Sequence, residues 1–192
     1  MIGIDNHKFY KKAIDKYGIS AKGVHWQSQF TQYLRFEIIN SFIKDEIESS
    51  SIVDAGCGFA EYLNYLKKSS LKPKSYIGLD VEQKMITLSK ERFPSEKFIV
   101  KDIVKDKLPN ADYYICSGAM NILRKKQMFK FIENCLASSN KGFVFNFLKA
   151  HSLNNVSCET IIDFCEGLGK EIYIKDYYLD NDITICLKHL TT

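Results

Sequence analysis

Three aspartates, Asp54, Asp80 and Asp102, each close a short apolar run, in "SIVDAG", "SYIGLDV" and "KFIVKD". The first is followed at once by Gly56, Cys57 and Gly58. A glycine turn between a buried run and a helical pattern lets backbone come close to a ligand where a Cβ would clash. Three carboxylates beside it suit a cationic ligand that carries an amine and hydroxyls. An aspartate at the tip of the second run can accept both hydroxyls of a ribose through charge-assisted hydrogen bonds, which are stronger than neutral ones. A dinucleotide fits less well, because the third glycine position of G-x-G-x-x-G is Glu61, whose carboxylate opposes close packing and repels a pyrophosphate. A triphosphate loop fails as well, since no G-K-[ST] follows. Each aspartate also has a plainer role open to it. Asp80 with Gln83 is a candidate capping box, Asp102 a solvated loop residue, and Asp54 an acceptor for turn amides.

The elements that would position these residues follow from periodicity. "HKFYKKAIDKYG" places Phe9, Tyr10, Ala13, Ile14 and Tyr17 on one helical face, with a stop at Gly18. A second helix is expected from near Ser28, carrying Phe30, Leu34, Ile38 and Phe42 at steps of four and ending in "KDEIESSS". From residue 51 the pattern becomes strand, helix 59–69, strand "SYIGLDV", helix 82–92, strand "KFIVKD", strand "DYYICSG", helix 122–138, strand "GFVFNFL" and helix 157–167. Such alternation with nearly continuous apolar strands predicts a parallel sheet covered on both faces. The last runs, "IYIKDYYL" and "DITICLKH", are separated only by Asp180 and Asn181, which predicts a tight antiparallel hairpin. An all-parallel dinucleotide sheet does not end that way. The expected architecture is a single α/β domain over 1–192, a three-layer doubly wound sheet with N-terminal helices (1–49) as a cap and 50–192 as the core.

The 192 residues carry a net charge of +4 from dispersed lysines, without a long run of like charge, so a nucleic-acid footprint is not favoured. Six cysteines are spread singly, without metal-ligand or cluster spacing, and several sit in apolar stretches, which predicts reduced thiols in the cytoplasm and no metal. Neither an export signal nor a membrane span is expected.

"VDAGCGFAEYL", "YIGLDVEQKMI", "FIVKDI" and "DYYICSGAMNIL" resemble the successive motifs of class I S-adenosylmethionine-dependent methyltransferases, a Rossmann-like fold, and the terminal hairpin resembles their sixth and seventh strands. The resemblance covers roughly 50–190. The upstream "KGVHWQSQFTQYLRFEII" is similar to the lead-in of a bacterial subgroup. The resemblance implies S-adenosyl-L-methionine as cofactor, with Asp54, Gly56 and Gly58 bordering the methionine moiety, Asp80 at the ribose, Asp102 and Ile103 at the adenine, Ser117 beside the donor, and Cys57 and Val81 among the cofactor-binding residues. One departure is Ala60, where the family has glycine; only a modest loss of room is expected from it.

Methyl transfer from a sulfonium needs alignment and exclusion of water more than a base. The acceptor belongs over the carboxyl ends of the strands. After the fourth strand "SGAMN" has no Pro-Pro-aromatic element and no Pro-Cys pair, which lowers the case for a nucleic-acid acceptor. His151, in "KAHSLNN" after the fifth strand, is the candidate base, with a surface-loop histidine as the alternative. Asn146 reads as a satisfied buried amide, and His189 falls on the opposite rim. Arg35 is a candidate partner for the cofactor's carboxylate, and Trp26 and Asn121 are candidates for the acceptor pocket. The expectation is a methyltransferase acting on a small molecule, as monomer or homodimer; an RNA or protein acceptor, or a non-catalytic cofactor-binding protein, are the alternatives.

Overall fold

The computed structural model describes residues 28–149 and 156–190. The expected first helix, Trp26 and His151 lie outside them. The described chain runs α1 (Gln29–Ser41), a 3-10 turn (Lys44–Ser49), β1 (Ser51–Ala55), α2 (Glu61–Lys68), β2 (Ser75–Asp80), α3 (Gln83–Arg92), β3 (Lys97–Val100) and β4 (Ala111–Ser117). A second 3-10 turn (Ala119–Ile122), α4 (Lys125–Ala137), β5 (Ser139–Leu148), α5 (Cys158–Glu166), β6 (Glu171–Lys175) and β7 (Asp182–Lys188) follow. The strands form one seven-stranded sheet in the order β3-β2-β1-β4-β5-β7-β6. β1 to β5 pair in parallel, while β7 lies antiparallel between β5 and β6. The doubly wound sheet with a reversed last strand is therefore present.

Alternation along each strand divides the interior in two. Val53, Tyr114 and the stacked ladder Phe143, Phe145 and Phe147 face α4 and α5, packing against Met128, Ile132 and Ile161. Ile52, Tyr113, Ile115 and Val144 face the other way, against Phe36 and Ile39 of α1 and Tyr62 and Leu66 of α2. Burial on both faces is why these strands read as continuous apolar runs.

Two expectations are corrected. The α1 helix begins where expected, with the Ser28 hydroxyl accepting the Thr31 N–H at 3.2 Å. Its buried face, however, is Gln32, Arg35, Phe36, Ile39 and Asn40, while Phe30 is 74% exposed. The apolar spacing misled because three of the five buried positions are polar, and two of them, Arg35 and Asn40, find side-chain partners only in the fold. Asn40 accepts from the Tyr62 hydroxyl at 2.5 Å. Arg35 grips Asp182 of β7 with two prongs, at 2.5 and 2.7 Å. The hairpin is also wider than a two-residue turn, since the ladder starts at Lys175 opposite Thr184 and residues 176–181 connect the strands. That connection is fastened from within: Tyr178 and Thr184 share a 2.7 Å hydroxyl contact, and the Lys149 N–H donates to the Asn181 carbonyl.

Among the described residues no helix is long and apolar enough to cross a membrane. All six cysteines are free thiols, five of them buried.

Breaking one side of a buried ion pair leaves a charge uncompensated, whereas replacing both sides with apolar groups does not. Asp182→Ala is therefore expected to cost about 3–5 kcal/mol of stability. The double variant Arg35→Met with Asp182→Leu is expected to recover much of that loss, as measured by urea unfolding.

Candidate functional site

The site is built at the carboxyl ends of β1 to β4, and the glycine turn after β1 is its floor. Its conformation is set by Gly56 (φ 83°), Gly58 (φ 52°) and Ala60 (φ 60°), all left-handed. The N–H groups of Gly56 and Cys57 both donate to the Leu79 carbonyl, at 2.8 and 2.9 Å, so the turn folds over the end of β2. A Cβ on Gly56 would come within 2.3 Å of the Ala119 Cβ. Glycine is required there for close approach as well as for its φ. Ala60 accepts the strain of an αL alanine and is fully buried. The departure from glycine thus touches backbone conformation, with the methyl group packed inward.

Asp80, at the tip of β2, ties the turn to the next segment. One of its carboxylate oxygens accepts the Gly58 N–H at 2.9 Å and the other accepts the Glu82 N–H at 2.9 Å. The capping box expected with Gln83 is absent, because α3 takes Glu82 as N-cap without a side-chain bond. From α3, Ser89 donates to the Gly58 carbonyl at 2.8 Å, and Arg92 donates to the Phe59 carbonyl while pairing with Glu61 at 2.6 Å. The glutamate that argued against a pyrophosphate is thus anchored at the head of α2.

Asp54 is 3% exposed and accepts from the Tyr76 hydroxyl at 2.7 Å. Burial pushes its carboxyl up to about 7, with the neighbouring charge of Asp80 adding and the Tyr76 bond opposing. Burial likewise pushes Asp80 up to about 6 against the lowering effect of its two backbone N–H bonds. The Cys57 thiol is held well above its ordinary value by burial and by both aspartates, which makes it a packing group.

The far wall comes from β3 and β4. Asp102 accepts the Val104 N–H at 2.9 Å and pairs with Lys105 at 3.0 Å. Asn134 of α4 steadies that loop by donating to the Ile103 and Val104 carbonyls. At the end of β4, Ser117 precedes Gly118 (φ 78°) and the 3-10 turn. Its hydroxyl oxygen is buried and finds no partner among the described residues.

Together these walls enclose a cavity of about 180 Å³. Asp54, Gly56, Cys57, Gly58, Asp80, Val81, Asp102, Ile103 and Ser117, all singled out in the sequence, line it. Two others do not. Arg35 is committed to Asp182, and the Asn121 side-chain oxygen accepts the Leu148 N–H at 3.1 Å, bracing the end of β5. Sequence reasoning missed Gln32, Phe36 and Tyr62, which α1 and α2 bring to the cavity. The signal was available only as "QYLRFE", where Gln32 stands one helical turn before Phe36. Asn146 is wholly buried and donates to Asp182 at 3.3 Å, but its amide oxygen lacks a partner among the described residues, so it is half-satisfied. His189 contacts Ser139 and the Leu136 carbonyl at the opposite end of the sheet.

A reversed seventh strand beside β5 and an acid at the tip of β2 define a Rossmann-like methyltransferase fold. Residues 52–142 match the family model described as a methyltransferase domain. Over that stretch the chain is similar to methyltransferase domains. The magnesium protoporphyrin IX methyltransferase ChlM of Synechocystis PCC 6803, crystallised with bound SAM, shares the fold at a TM-score of 0.69 and 12% identity, covering 99% of this chain and 100% of that one. Two relatives bear provisional methyltransferase names. Rv1506c of Mycobacterium tuberculosis is 33% identical over 112 residues, 53% of this chain and 65% of its own length. Protein 235L of Invertebrate iridescent virus 6 is 30% identical over 98 residues, 50% of this chain and 37% of its own length. The chain thus spans less than two thirds of either relative.

The raised aspartates carry a stability consequence. A carboxyl whose folded-state value lies above its unfolded one binds protons more tightly when folded. Its contribution therefore falls as pH rises from about 4 to about 7, and is flat above that. Asp54→Asn is expected to melt several degrees above the wild type near pH 8, with the difference shrinking towards pH 5. Thermal melts across that range check it, and a constant difference would contradict it.

Proposed function

We infer that the chain binds S-adenosyl-L-methionine in this cavity and transfers its methyl group to a small-molecule acceptor, working in the cytoplasm. The observation that carries this reading is the convergence of three carboxylates, a glycine turn and a buried serine hydroxyl without a partner among the described residues on one cavity at the carboxyl ends of four adjacent parallel strands. Ligands of open α/β sheets bind at that edge.

The residues fit the cofactor. Each Asp80 oxygen uses one lone pair on a backbone N–H and keeps another, enough to accept a pair of ribose hydroxyls without giving up the turn. The Ser117 hydroxyl, buried without a partner among the described residues, is satisfied by a polar ligand atom. Ile103 and Phe131 offer apolar contact for a base, with Asp102 at its edge. Asp54 and Asp80 stand side by side where a ligand bearing positive charge stabilises their ionised forms. In place of Arg35, Gln32 is the polar side chain that α1 offers to the cavity.

When bound, the cofactor supplies a methyl group already activated on a cationic sulfur, so the protein's task is orientation and dryness. The glycine turn and Asp80 fix the nucleoside. Phe36 and Tyr62, whose rings meet edge-on at 5.4 Å, wall off water on the α1 side. His151 as base and Trp26 as an acceptor-pocket residue are parts of this proposal that lie outside the described residues. The five buried free thiols support a reducing compartment.

Replacing Asp80 by Ala removes two charge-assisted hydrogen bonds, each worth about 1.5–3 kcal/mol, and is expected to weaken S-adenosylmethionine by on the order of a hundredfold or more in calorimetry. Asp80→Asn should lose less, and NAD should give no heat with either. Binding near pH 6.5 is expected to release protons, because the cation favours ionised Asp54. Affinity then falls as pH drops through about 7, and the heat depends on the buffer's ionisation enthalpy. Formation of the demethylated thioether on incubation with fractionated metabolites tests the transfer. Cofactor binding with no turnover in any fraction would favour the non-catalytic reading, and micromolar NAD binding with no response to the sulfonium nucleoside would overturn the site.

A further inference from the structure

The sheet ends at β6, and that edge is unlike the rest of the molecule. Among the described residues only β7 pairs with it, and there one side of its backbone presents N–H and C=O groups without a strand partner. Tyr173 and Ile174 are 46% and 41% exposed there. Open edges are guarded by short strands, bulges, proline, cover or charged side chains, lysine above all, because they otherwise pair with another strand.

Here the charges are matched in a particular way. The segment reads "KEIYIKD", Lys170 to Asp176. About Tyr173 the apolar positions mirror each other, Ile172 with Ile174, while the charged positions invert, Glu171 with Lys175 and Lys170 with Asp176. Two copies laid antiparallel across a two-fold axis through Tyr173 therefore set Glu171 opposite Lys175 twice, Ile172 opposite Ile174 twice, and Tyr173 opposite itself. Shifting the register by one residue moves each side chain to the other face and loses the match. Opposite charges directly across an antiparallel pair stabilise it, and like charges destabilise it.

The structure holds these side chains in the arrangement such pairing needs. Glu171, Tyr173 and Lys175 share the face towards α1. The Tyr173 hydroxyl donates to Glu171 at 2.7 Å, and Lys175 donates to the Ser41 hydroxyl at 2.7 Å with its ammonium over the Phe42 ring. These charges are ordered along the strand, where they can set register.

We propose that β6 is a self-association edge, through which a second copy of this chain pairs antiparallel about Tyr173 and continues the sheet across a two-fold axis. An isologous contact of this kind closes on itself and stops at a dimer. Its short length puts it among small, reversible interfaces.

Sedimentation velocity over a concentration series tests this with charge exchange. The wild type is expected to pass from monomer to dimer as concentration rises. Lys175→Glu places glutamate opposite glutamate twice, and Glu171→Lys places lysine opposite lysine twice, so each alone is expected to remain monomeric. Mixing the two single variants is expected to restore a dimer, as is the double exchange Glu171→Lys with Lys175→Glu. The restored species rule out misfolding as the cause of loss. A wild type that stays monomeric throughout would overturn the proposal and leave the edge to a different partner. A dimer that persists unchanged in both single variants would overturn it too, by placing the interface elsewhere.

Discussion

The Asp80 carboxylate accepts backbone N–H groups from two segments, the remote β1 turn at Gly58 and the adjoining α3 entrance at Glu82. The cavity depends on that double grip. A left-handed turn built from Gly56, Gly58 and Ala60 has little internal hydrogen bonding to hold it, and its height above the sheet is set from outside. Leu79 holds its first N–H groups, Asp80 its middle, and Ser89 with Arg92 its last carbonyls. All of these come from β2 and α3. The parallel register of β1 and β2, with Asp54 opposite Gly78 and Ala55 opposite Leu79, is thus the frame on which the site stands.

Electrostatics makes this floor costly when it is bare. Asp54 is buried with the half-buried Asp80 beside it, and each prefers its proton more than an ordinary carboxyl does. Two neighbouring carboxylates out of water are stable as anions only with donors or a positive charge near them. The Tyr76 hydroxyl and two backbone N–H groups supply part of that. The positively charged ligand of the proposed function would supply the rest. Sites that bind by relieving such a conflict trade stability for function.

The α1 helix shows the other way in which polar residues are used. Its buried face joins Gln32 in the cavity, Arg35 on Asp182 and Asn40 on Tyr62. The Arg35 and Asn40 bonds reach different parts of the core, so the helix is located by directional bonds as well as by Phe36 and Ile39. Asp182 begins β7, and the Arg35 contact therefore couples the helix beside the cavity to the strand whose reversed direction marks the fold. Asn146 joins the same cluster from β5, in register with Ser117 on one side and Thr184 on the other, which carries a polar row across the sheet from the cavity wall to β7.

The order of helices and strands, the reversed final strand and nine of the cavity-lining residues were legible in the sequence, because each is written locally. Short apolar runs mark strands buried on both faces, small residues mark a turn, and an acid at a strand tip falls at the sheet's carboxyl edge by topology alone. The structure decided what depends on partners far along the chain. Periodicity placed Phe30 and Leu34 inward on α1, whereas the helix turns Arg35 and Asn40 inward because Asp182 and Tyr62 wait for them. Arg35 was chemically suited to a ligand carboxylate but met a protein carboxylate first, and Asn121 was claimed by the Leu148 amide. A side chain's type declares what it can bond, and only the packed fold determines which complementary group lies within reach.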